Sequence, residues 1–338
     1  MQNYKWFMGI DVSKGKLDIT LLKGSEKVVY EMIENNISSI ETFIKSLKAQ
    51  VGFNWRECLV CMEHTGIYNA HLLAIAQKRK WYLCLESAVQ IKQSGGLQRG
   101  KNDIIDSFRI ALYAFKNASC LKLWQPPRKV LVSLQKLSGL RYRLINTRKQ
   151  LSTAKKEDKG FLDKSIIKSI EDCSKRTMAA LDKDIKMTDE KIKAVIASDE
   201  ALKKMFALVE SVPGIGNVMA VQMVITTNEF TQITDPRKYA CYCGVAPFEH
   251  SSGSSIKGRT RTSKKANQHV KSILHMGSLI VVRTNEEMRR YYDKKVDEGK
   301  NKMSVLNAVK NKMIHRVFSC VSRNKPYQIN YKNSLEVS

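Results

Sequence analysis

The first part of the chain alternates between apolar patterns of period two and of period 3.6. Two alternating runs, 4–12 and 16–23, flank Ser13-Lys14-Gly15 and predict a β-hairpin. Beyond a third strand at 27–34, the patterns predict helix 38–50, strand 57–63, helix 68–79, strand 81–86 and helix 103–117. An antiparallel start followed by alternating strands and helices is typical of an α/β domain with a mixed central sheet.

A long helical region follows the break at Pro126-Pro127. Residues 129–200 are almost free of proline and glycine, and their apolar residues recur at helical spacing. The leucines predicted to share one helical face are Leu134, Leu137, Leu140 and Leu144. The pattern predicts a long helical hairpin or coiled coil with its turn near Lys159-Gly160. Its basic face either contacts nucleic acid or forms a solvated spacer or dimerisation arm.

A third region runs from about 203 to 325 and opens with Val-Pro-Gly-Ile-Gly at 212–216. This turn lies between two apolar helical segments, 201–211 and 217–226, which is the pattern of a helix-hairpin-helix. Gly214 and Gly216 would expose backbone N–H groups to a phosphate at a helix start. The alternative is an ordinary tight turn. We therefore divide the chain into an α/β domain at 1–125, a helical linker at 126–200, a mostly helical C-terminal domain at 201–326 and a tail at 327–338.

The charge balance indicates a polyanionic partner. Among 338 residues, 58 lysines and arginines face 32 acids, which gives a formal charge of +26. Such an excess favours nucleic acid, because each neutralised phosphate releases a counterion. The alternative is a basic protein without a nucleic-acid role. The apolar fraction of 43% excludes a chain too polar to fold.

The cell compartment is predicted from what the sequence lacks. No run is apolar and long enough to span a membrane, and the start lacks the apolar core of a signal peptide. Eight scattered cysteines indicate free thiols in a reducing cytoplasm. Cys58 and Cys61 have metal-like spacing, but on a strand they point to opposite faces, so we predict buried cysteines rather than a zinc site.

Four acids occupy positions suited to phosphodiester chemistry. Asp11 and Glu63 end predicted strands, and Asp103 and Asp106 open helix 103–117, three residues apart on one face. Strand ends of an α/β sheet converge at one edge, where the carboxylates would repel each other without a cation. Hard oxygen ligands select Mg²⁺, or Mn²⁺, and two such ions can activate the attacking and leaving groups of a phosphodiester.

Each acid also has a structural alternative. A lone carboxylate in an apolar strand is costly, so Asp11 and Glu63 are hard to explain as structure. Asp103 could cap its helix, and Asp106 could lie in the favourable first turn. Lys101, just ahead, could contact a phosphate.

A serine-rich basic segment follows Gly-Val-Ala-Pro-Phe-Glu-His at 244–250. Ser251-Ser252-Gly253 predicts a flexible turn, and a serine there could contact a phosphate or attack it. The basic residues expected to hold phosphates are Lys257, Arg259, Arg261, Lys264 and Lys265. On composition alone, the segment is typical of a disordered basic loop.

Taken in order, these motifs resemble those of the DEDD-type insertion-sequence transposases, the bridge-RNA-guided recombinases related to the Piv DNA invertase. Gly-Ile-Asp11-Val-Ser-Lys, Met-Glu63-His-Thr-Gly and Lys-Asn-Asp103-Ile-Ile-Asp106 are similar to their RuvC-like (RNase H-like) domain. Val-Pro-Gly-Ile-Gly, Tyr-Ala-Cys-Tyr-Cys-Gly-Val-Ala-Pro and Ser-Ser-Gly are similar to their second transposase domain. The resemblance spans nearly the whole chain.

The resemblance implies that the four acids bind magnesium and that a serine forms a transient covalent bond to DNA. We place this nucleophile at Ser252, with the adjoining Ser251 as its competitor. It also implies a dimeric or tetrameric synapse and a structured bridge RNA that pairs with donor and target double-stranded DNA. One departure is Ser263-Lys264-Lys265-Ala266-Asn267, where family members tend to have a glycine in place of Ala266.

Two other functions remain as alternatives. A RuvC-like hydrolytic nuclease of the junction-resolvase type needs the acids but no serine, and leaves the C-terminal domain unexplained. A non-catalytic nucleic-acid-binding protein would not need the four acids and the serine.

Overall fold

The computed structural model describes residues 3–50, 52–95, 103–157, 161–252, 256–262 and 266–328. The chain forms two compact units, Met1–Pro126 and Pro127–Ser338. The break lies between the two adjacent prolines. The helical linker and the C-terminal domain distinguished in the sequence both fall within the second unit, and a division between them stays a prediction.

A five-stranded mixed sheet organises the first unit. Its strands are β1 (Trp6–Val12), β2 (Lys16–Lys23), β3 (Glu26–Glu34), β4 (Cys58–Glu63) and β5 (Tyr82–Glu86). Their order is β3-β2-β1-β4-β5, with β3, β2 and β1 antiparallel and β1, β4 and β5 parallel. The predicted hairpin and the mixed sheet are confirmed, and the arrangement is compatible with a RuvC-like α/β domain.

Helices cover both faces of this sheet. They are α1 (Ile37–Ser46), α2 (Ala70–Arg79), α3 (Ala88–Ser94) and α4 (Asp103–Asn117). Helices α1 and α2 pack on one face with Met8, Ile10 and Val60, while α3 and α4 pack on the other with Phe7 and Leu59. The short helix α3 was not predicted, because seven residues are too few to show a helical period.

The two cysteines of β4 lie on opposite faces of the sheet. Both are buried, Cys58 in the cluster beneath α1 and α2 and Cys61 in the cluster beneath α3 and α4. Strand alternation therefore separates them as predicted.

The second unit is mostly helical. Its helices are α5 (Lys129–Glu157), α6 (Lys164–Ala197), α7 (Glu200–Glu210), α8 (Asn217–Thr226), α9 (Pro236–Tyr242), α10 (Gln268–Thr284), α11 (Glu286–Asp297) and α12 (Lys302–Arg323). Its core is a single cluster that includes Leu134 of α5, Ile196 of α6 and Val317 of α12. Among the described residues of the whole chain, no helix has the length and apolar character to cross a membrane.

Helices α5 and α6 pack antiparallel. Arg141 pairs with Asp189 at 2.5 Å, and Arg148 pairs with Asp182 at 2.5 Å. The later residue of α5 thus contacts the earlier residue of α6, so the two helices run in opposite directions. The predicted turn at Lys159-Gly160 lies outside the described residues. The predicted leucine face was wrong at one position, because Leu134 is buried but Leu140 is exposed. With 3.6 residues per turn, the buried face of the helix continues from Leu134 through Ser138, which is buried, and not through Leu140.

A β-hairpin replaces the loop expected in the serine-rich segment. Strands β6 (Pro247–Ser252) and β7 (Ile256–Thr262) pair antiparallel, with Ser251 opposite Lys257 and Ser252 opposite Ile256. The composition of serine, glycine and basic residues concealed the strand pattern. The β-branched residues Ile256, Thr260 and Thr262 favour β7.

Candidate active site

Strand alternation brings Asp11 and Glu63 to the same face of the sheet. On β1, Phe7 and Gly9 face helix α4, so Asp11, two residues on, lies on that face too. On the parallel neighbour β4, Leu59 and Cys61 face α3 and α4, and Glu63 ends that row. Two strand ends therefore supply two carboxylates beneath α4, as the sequence predicted.

Two contacts fix helix α4 over the sheet. A Cβ on Gly9 would lie 2.2 Å from the backbone nitrogen of Ala111 and 2.2 Å from the carbonyl oxygen of Ser107, so only glycine permits this approach. Beside it, the hydroxyls of Thr20 and Ser107 share a buried 2.8 Å hydrogen bond. Together they set the position of the carboxylates at the start of α4.

Three of the four predicted acids line one cavity. Asp11, Glu63 and Asp106 border a space of about 600 Å³ between the sheet edge and helices α3 and α4. Asp106 also pairs with Arg109 of the same helix at 2.9 Å. The cavity is therefore acidic where the strands end.

The fourth acid, Asp103, is the first residue of α4 and is bound by a lysine of the hairpin. Lys16 Nζ lies 2.5 Å from its Oδ2 and 3.3 Å from Oδ2 of Asp18. Asp18 is buried and accepts a 2.6 Å hydrogen bond from the Tyr30 hydroxyl. In the β1–β2 register Asp18 lies directly opposite Asp11, so a fifth carboxylate adjoins the predicted four.

Burial and repulsion by neighbouring carboxylates raise the pKa values of Asp11 and Glu63. Desolvation, with the charges of Glu63, Asp106, Asp103 and Asp18, raises the pKa of Asp11 to about 6. Desolvation and Asp106 also raise the pKa of Glu63. Both strand-end carboxylates thus lie in a field that disfavours their charged forms, which is the condition that a bound cation relieves.

The donor set is compatible with a hard divalent cation, although the acids are not gathered tightly. Carboxylate oxygens border the cavity where the strands end, and such ligands suit Mg²⁺ or Mn²⁺. Within the described ranges, no three His, Cys, Asp or Glu side chains are close enough to hold a metal ion. Asp103 and Asp106 are engaged by Lys16 and Arg109, so metal coordination by these two acids requires that the ion pairs open or rearrange.

Sequence reasoning did not identify Lys16, Asp18 and Arg109. The signal for Lys16 and Asp18 was present in the predicted hairpin, because Lys16, Asp18 and Thr20 alternate along β2 and a short loop fixes the register opposite Asp11. Arg109 lies three residues after Asp106, a spacing that favours an ion pair on a helix.

The predicted serines and part of the basic cluster belong to the β6–β7 hairpin. Ser251 and Ser252 are the last two residues of β6, and Lys257, Arg259 and Arg261 occupy alternate positions of β7. Lys101, Lys264 and Lys265, also predicted to contact nucleic acid, lie outside the described residues.

The Pro-Gly-Ile-Gly turn connects α7 and α8 and packs against α10. Gly214 has a φ of +84°, and a Cβ there would lie 2.9 Å from the carbonyl oxygen of Gly277. Packing and conformation thus require glycine at 214 without any ligand. Gly216 is exposed, with no atom near its Cβ position, and it precedes the first residue of α8. The helix-hairpin-helix assignment and the phosphate contact stay predictions.

Two family models match this chain, and their matches do not overlap. The model described as "Transposase IS116/IS110/IS902 family" matches residues 206–293, and a DEDD model described as "Transposase" matches residues 8–157. The second match contains all four predicted acids.

Relatives extend the similarity over nearly the whole length. The chain is 21% identical over 329 residues to the pilin gene-inverting protein of Moraxella bovis, covering 96% of this chain and 98% of that protein. It is 23% identical over 328 residues to the Moraxella lacunata protein of the same name, with the same coverage of both chains. A 44.8 kDa protein of insertion element IS116 from Streptomyces clavuligerus is 26% identical over 122 residues, covering 36% of this chain and 29% of that protein.

Proposed function

Because this chain belongs to the IS116/IS110/IS902 family of transposases and is a DNA transposase or recombinase, we propose that it cuts and rejoins the DNA of an insertion sequence with the acids of the first unit and a serine of the second. The observation that carries the proposal is the convergence of Asp11, Glu63 and Asp106 on one cavity. The inverting relatives also support strand rejoining, because the inversion of a gene requires new joints as well as cuts.

The four acids act as ligands of divalent cations in this proposal. Asp11 and Glu63 would hold the cations from the strand ends, and Asp103 and Asp106 would hold them from the start of α4. Mg²⁺, with Mn²⁺ as a substitute, would stabilise the charge that develops on the phosphate oxygens. Gly9 and the Thr20–Ser107 hydrogen bond keep α4 close to the sheet, above the two strand-end carboxylates.

Lys16 and Arg109 hold two of these carboxylates in the protein without a metal. Each basic side chain neutralises an acid that would otherwise face its neighbours unpaired. Asp18, fixed by Tyr30, holds Lys16 at the edge of the acid cluster.

The serine supplies the nucleophile. The Oγ of Ser252, or of Ser251, attacks a phosphorus atom, a Ser–O–P bond forms, and the bond from phosphorus to one strand end breaks. The released strand end takes up a proton as a hydroxyl. The hydroxyl of a new strand then attacks the phosphoserine, which rejoins the DNA and frees the serine.

Donor and target DNA, a structured bridge RNA and further copies of this chain are the proposed partners. The formal charge of +26 supports contact with nucleic acid. In this proposal the turn glycines, Gly214 and Gly216, and the basic residues of the β6–β7 hairpin bind phosphates. Lys101, Lys264 and Lys265 are also proposed to contact nucleic acid. A dimer or tetramer brings the ends of the element together.

A covalent-trapping assay tests the proposal. Purified protein is mixed with Mg²⁺, element-junction DNA and RNA from the non-coding end of the element, and denaturing gels detect a protein–DNA adduct. We expect an adduct with the wild type, none with Asp11→Ala, and none with one of Ser252→Ala and Ser251→Ala.

The outcomes separate the competing functions. Cleavage without an adduct, unchanged in both serine variants, would show a hydrolytic RuvC-like nuclease. Cleavage that persists in Asp11→Ala would remove the acid cluster from the chemistry. The serine variant that keeps its adduct is the internal control for folding of the second unit.

A further inference from the structure

The cavity that contains the acids extends beyond them along α3 and α4. Its floor includes Ile91 of α3 with Ile110 and Tyr113 of α4, which are all buried. A volume of about 600 Å³ lies within the range of sites that hold small ligands. The carboxylates border only one part of this space, so the remainder is free to receive another part of a substrate.

Basic side chains line that remainder. Lys92 of α3 and Arg109 and Lys116 of α4 border the same cavity as Asp11 and Glu63. Lys92 and Lys116 are exposed, and neither has an ion pair within the part of the chain that the structure describes. A cavity with carboxylates in one part and lysines in another matches a substrate whose reacting phosphate is followed by further phosphates.

The spacing along α4 supports a linear ligand. Asp106, Arg109, Tyr113 and Lys116 recur at intervals of three or four residues, so one face of the helix contains a proposed metal ligand, a pairing arginine and a lysine. Arg109 and Lys116 are seven residues apart, or about 10 Å along the helix axis. They would therefore contact different phosphates of one strand.

We propose that Lys92, Arg109 and Lys116 form a phosphate-binding wall that guides one DNA strand past the acids of the first unit. This inference rests on the proposed function of those acids. Arg109 lies where the acidic and the basic part of the cavity meet. It pairs with Asp106, and it borders the same cavity as Lys92 and Lys116.

The test measures binding without cleavage. Full-length protein carrying Glu63→Gln is titrated with a fluorescein-labelled 12-nucleotide single-stranded DNA at several salt concentrations, without RNA. Each phosphate contact on a single strand contributes about 0.7 to the slope of log Kobs against log salt concentration. We expect the double variant Lys92→Gln with Lys116→Gln to reduce the magnitude of that slope by about 1.4, because two phosphate contacts are lost.

The matched control removes two lysines from the other face of the same sheet. Lys45 and Lys48 are exposed on and just after α1, which packs opposite α3 and α4. Lys45→Gln with Lys48→Gln causes the same change in net charge and is expected to leave the slope within about 0.3 of the wild type. Thermal unfolding checks that both double variants fold.

Equal slopes for the two double variants on DNA would overturn the proposal. The same titration with a 12-nucleotide RNA tests whether the bound strand is DNA. If Lys92→Gln with Lys116→Gln reduces the salt slope for RNA but not for DNA, the proposal of a DNA strand is also overturned. This result is independent of the proposed function, which fails instead if Asp11→Ala still cleaves DNA.

Discussion

Helix α4 crosses strand β1 at Gly9, where a Cβ would lie 2.2 Å from the backbone nitrogen of Ala111. The contact is with main-chain atoms, which cannot move aside as a flexible side chain can. Because Asp11 follows Gly9 by two residues and Asp106 precedes Ala111 by five, this approach sets the relation between strand and helix carboxylates.

Gly9→Ala is therefore expected to displace α4. We expect a loss of about 1 to 3 kcal/mol in the free energy of unfolding, as for overpacked cores, together with loss of DNA cleavage. Urea denaturation and a cleavage assay measure the two effects.

The control is Gly139→Ala in the middle of α5, where the nearest atom to the new Cβ is a side-chain nitrogen of Arg143 at 3.7 Å. This variant should gain about 0.5 to 1 kcal/mol from helix propensity and keep cleavage activity. If Gly9→Ala is as stable and as active as Gly139→Ala, the close approach does not set the site.

Asp11→Asn is expected to stabilise the metal-free protein at neutral and higher pH. The folded state raises the pKa of Asp11 to about 6 from 3.8, so the folded protein binds more protons than the unfolded chain between these values. Stability of the wild type therefore falls as pH rises through this window. Removing the charge should add about 1 to 3 kcal/mol at pH 8 and clearly less at pH 4.

Urea denaturation in EDTA at the two pH values measures this difference. Glu26→Gln, on the exposed start of β3, is the control and should show no comparable gain. Addition of Mg²⁺ should stabilise the wild type more than Asp11→Asn, since ligands stabilise only the state that binds them. An Asp11→Asn protein that is less stable than wild type at pH 8 in EDTA would contradict the account of repulsion at the site.

Lys16→Gln is expected to strengthen the binding of divalent cations. Lys16 contacts Oδ2 of Asp103 at 2.5 Å, so its ammonium competes with any cation for that carboxylate. We expect the Mn²⁺ dissociation constant, measured by electron paramagnetic resonance, to fall severalfold. Lys14→Gln removes an exposed lysine from the same turn and should leave the constant within twofold of the wild type. Weaker Mn²⁺ binding by Lys16→Gln would mean that Lys16 organises the site instead of competing for it.

Much of the first unit was predictable because its signals are local. The run from Trp6 to Val12, the tight turn before Lys16 and the alternation through Lys23 determine a hairpin, and strand ends then place Asp11 and Glu63. Asp18 was missed because the same alternation was not followed across to β2. The Lys16–Asp103 pair joins positions 87 residues apart, and no local pattern predicts such a contact.

The structure of the second unit was harder to predict from the sequence. The long helices α5 and α6 have clear periods, but the β6–β7 hairpin was predicted as a loop because glycine, serine and basic residues are also typical of disorder. For Gly214 the sequence left open both a phosphate contact and an ordinary tight turn, and the positive φ of Gly214 with the close approach of Gly277 requires glycine there even without a ligand. That contact depends on α10, more than 50 residues further along the chain.

Lys310→Met is expected to stabilise the second unit below pH 9. Lys310 is buried on α12, and its Nζ donates a 2.8 Å hydrogen bond to Asn307 Oδ1. Desolvation and the nearby charge of Lys271 lower its pKa to about 8 from 10.5. Between these values the unfolded chain binds more protons than the folded protein, so the stability of the wild type rises with pH across this window. The variant should therefore gain about 2 to 3 kcal/mol at pH 7, and more than half of that gain should vanish by pH 10.

Urea denaturation at both pH values measures the gain in the free energy of unfolding. Lys312→Met is the control, since Lys312 is exposed on the same helix. A gain that does not change with pH would show that methionine stabilises by packing alone, and that the buried ammonium costs the fold nothing.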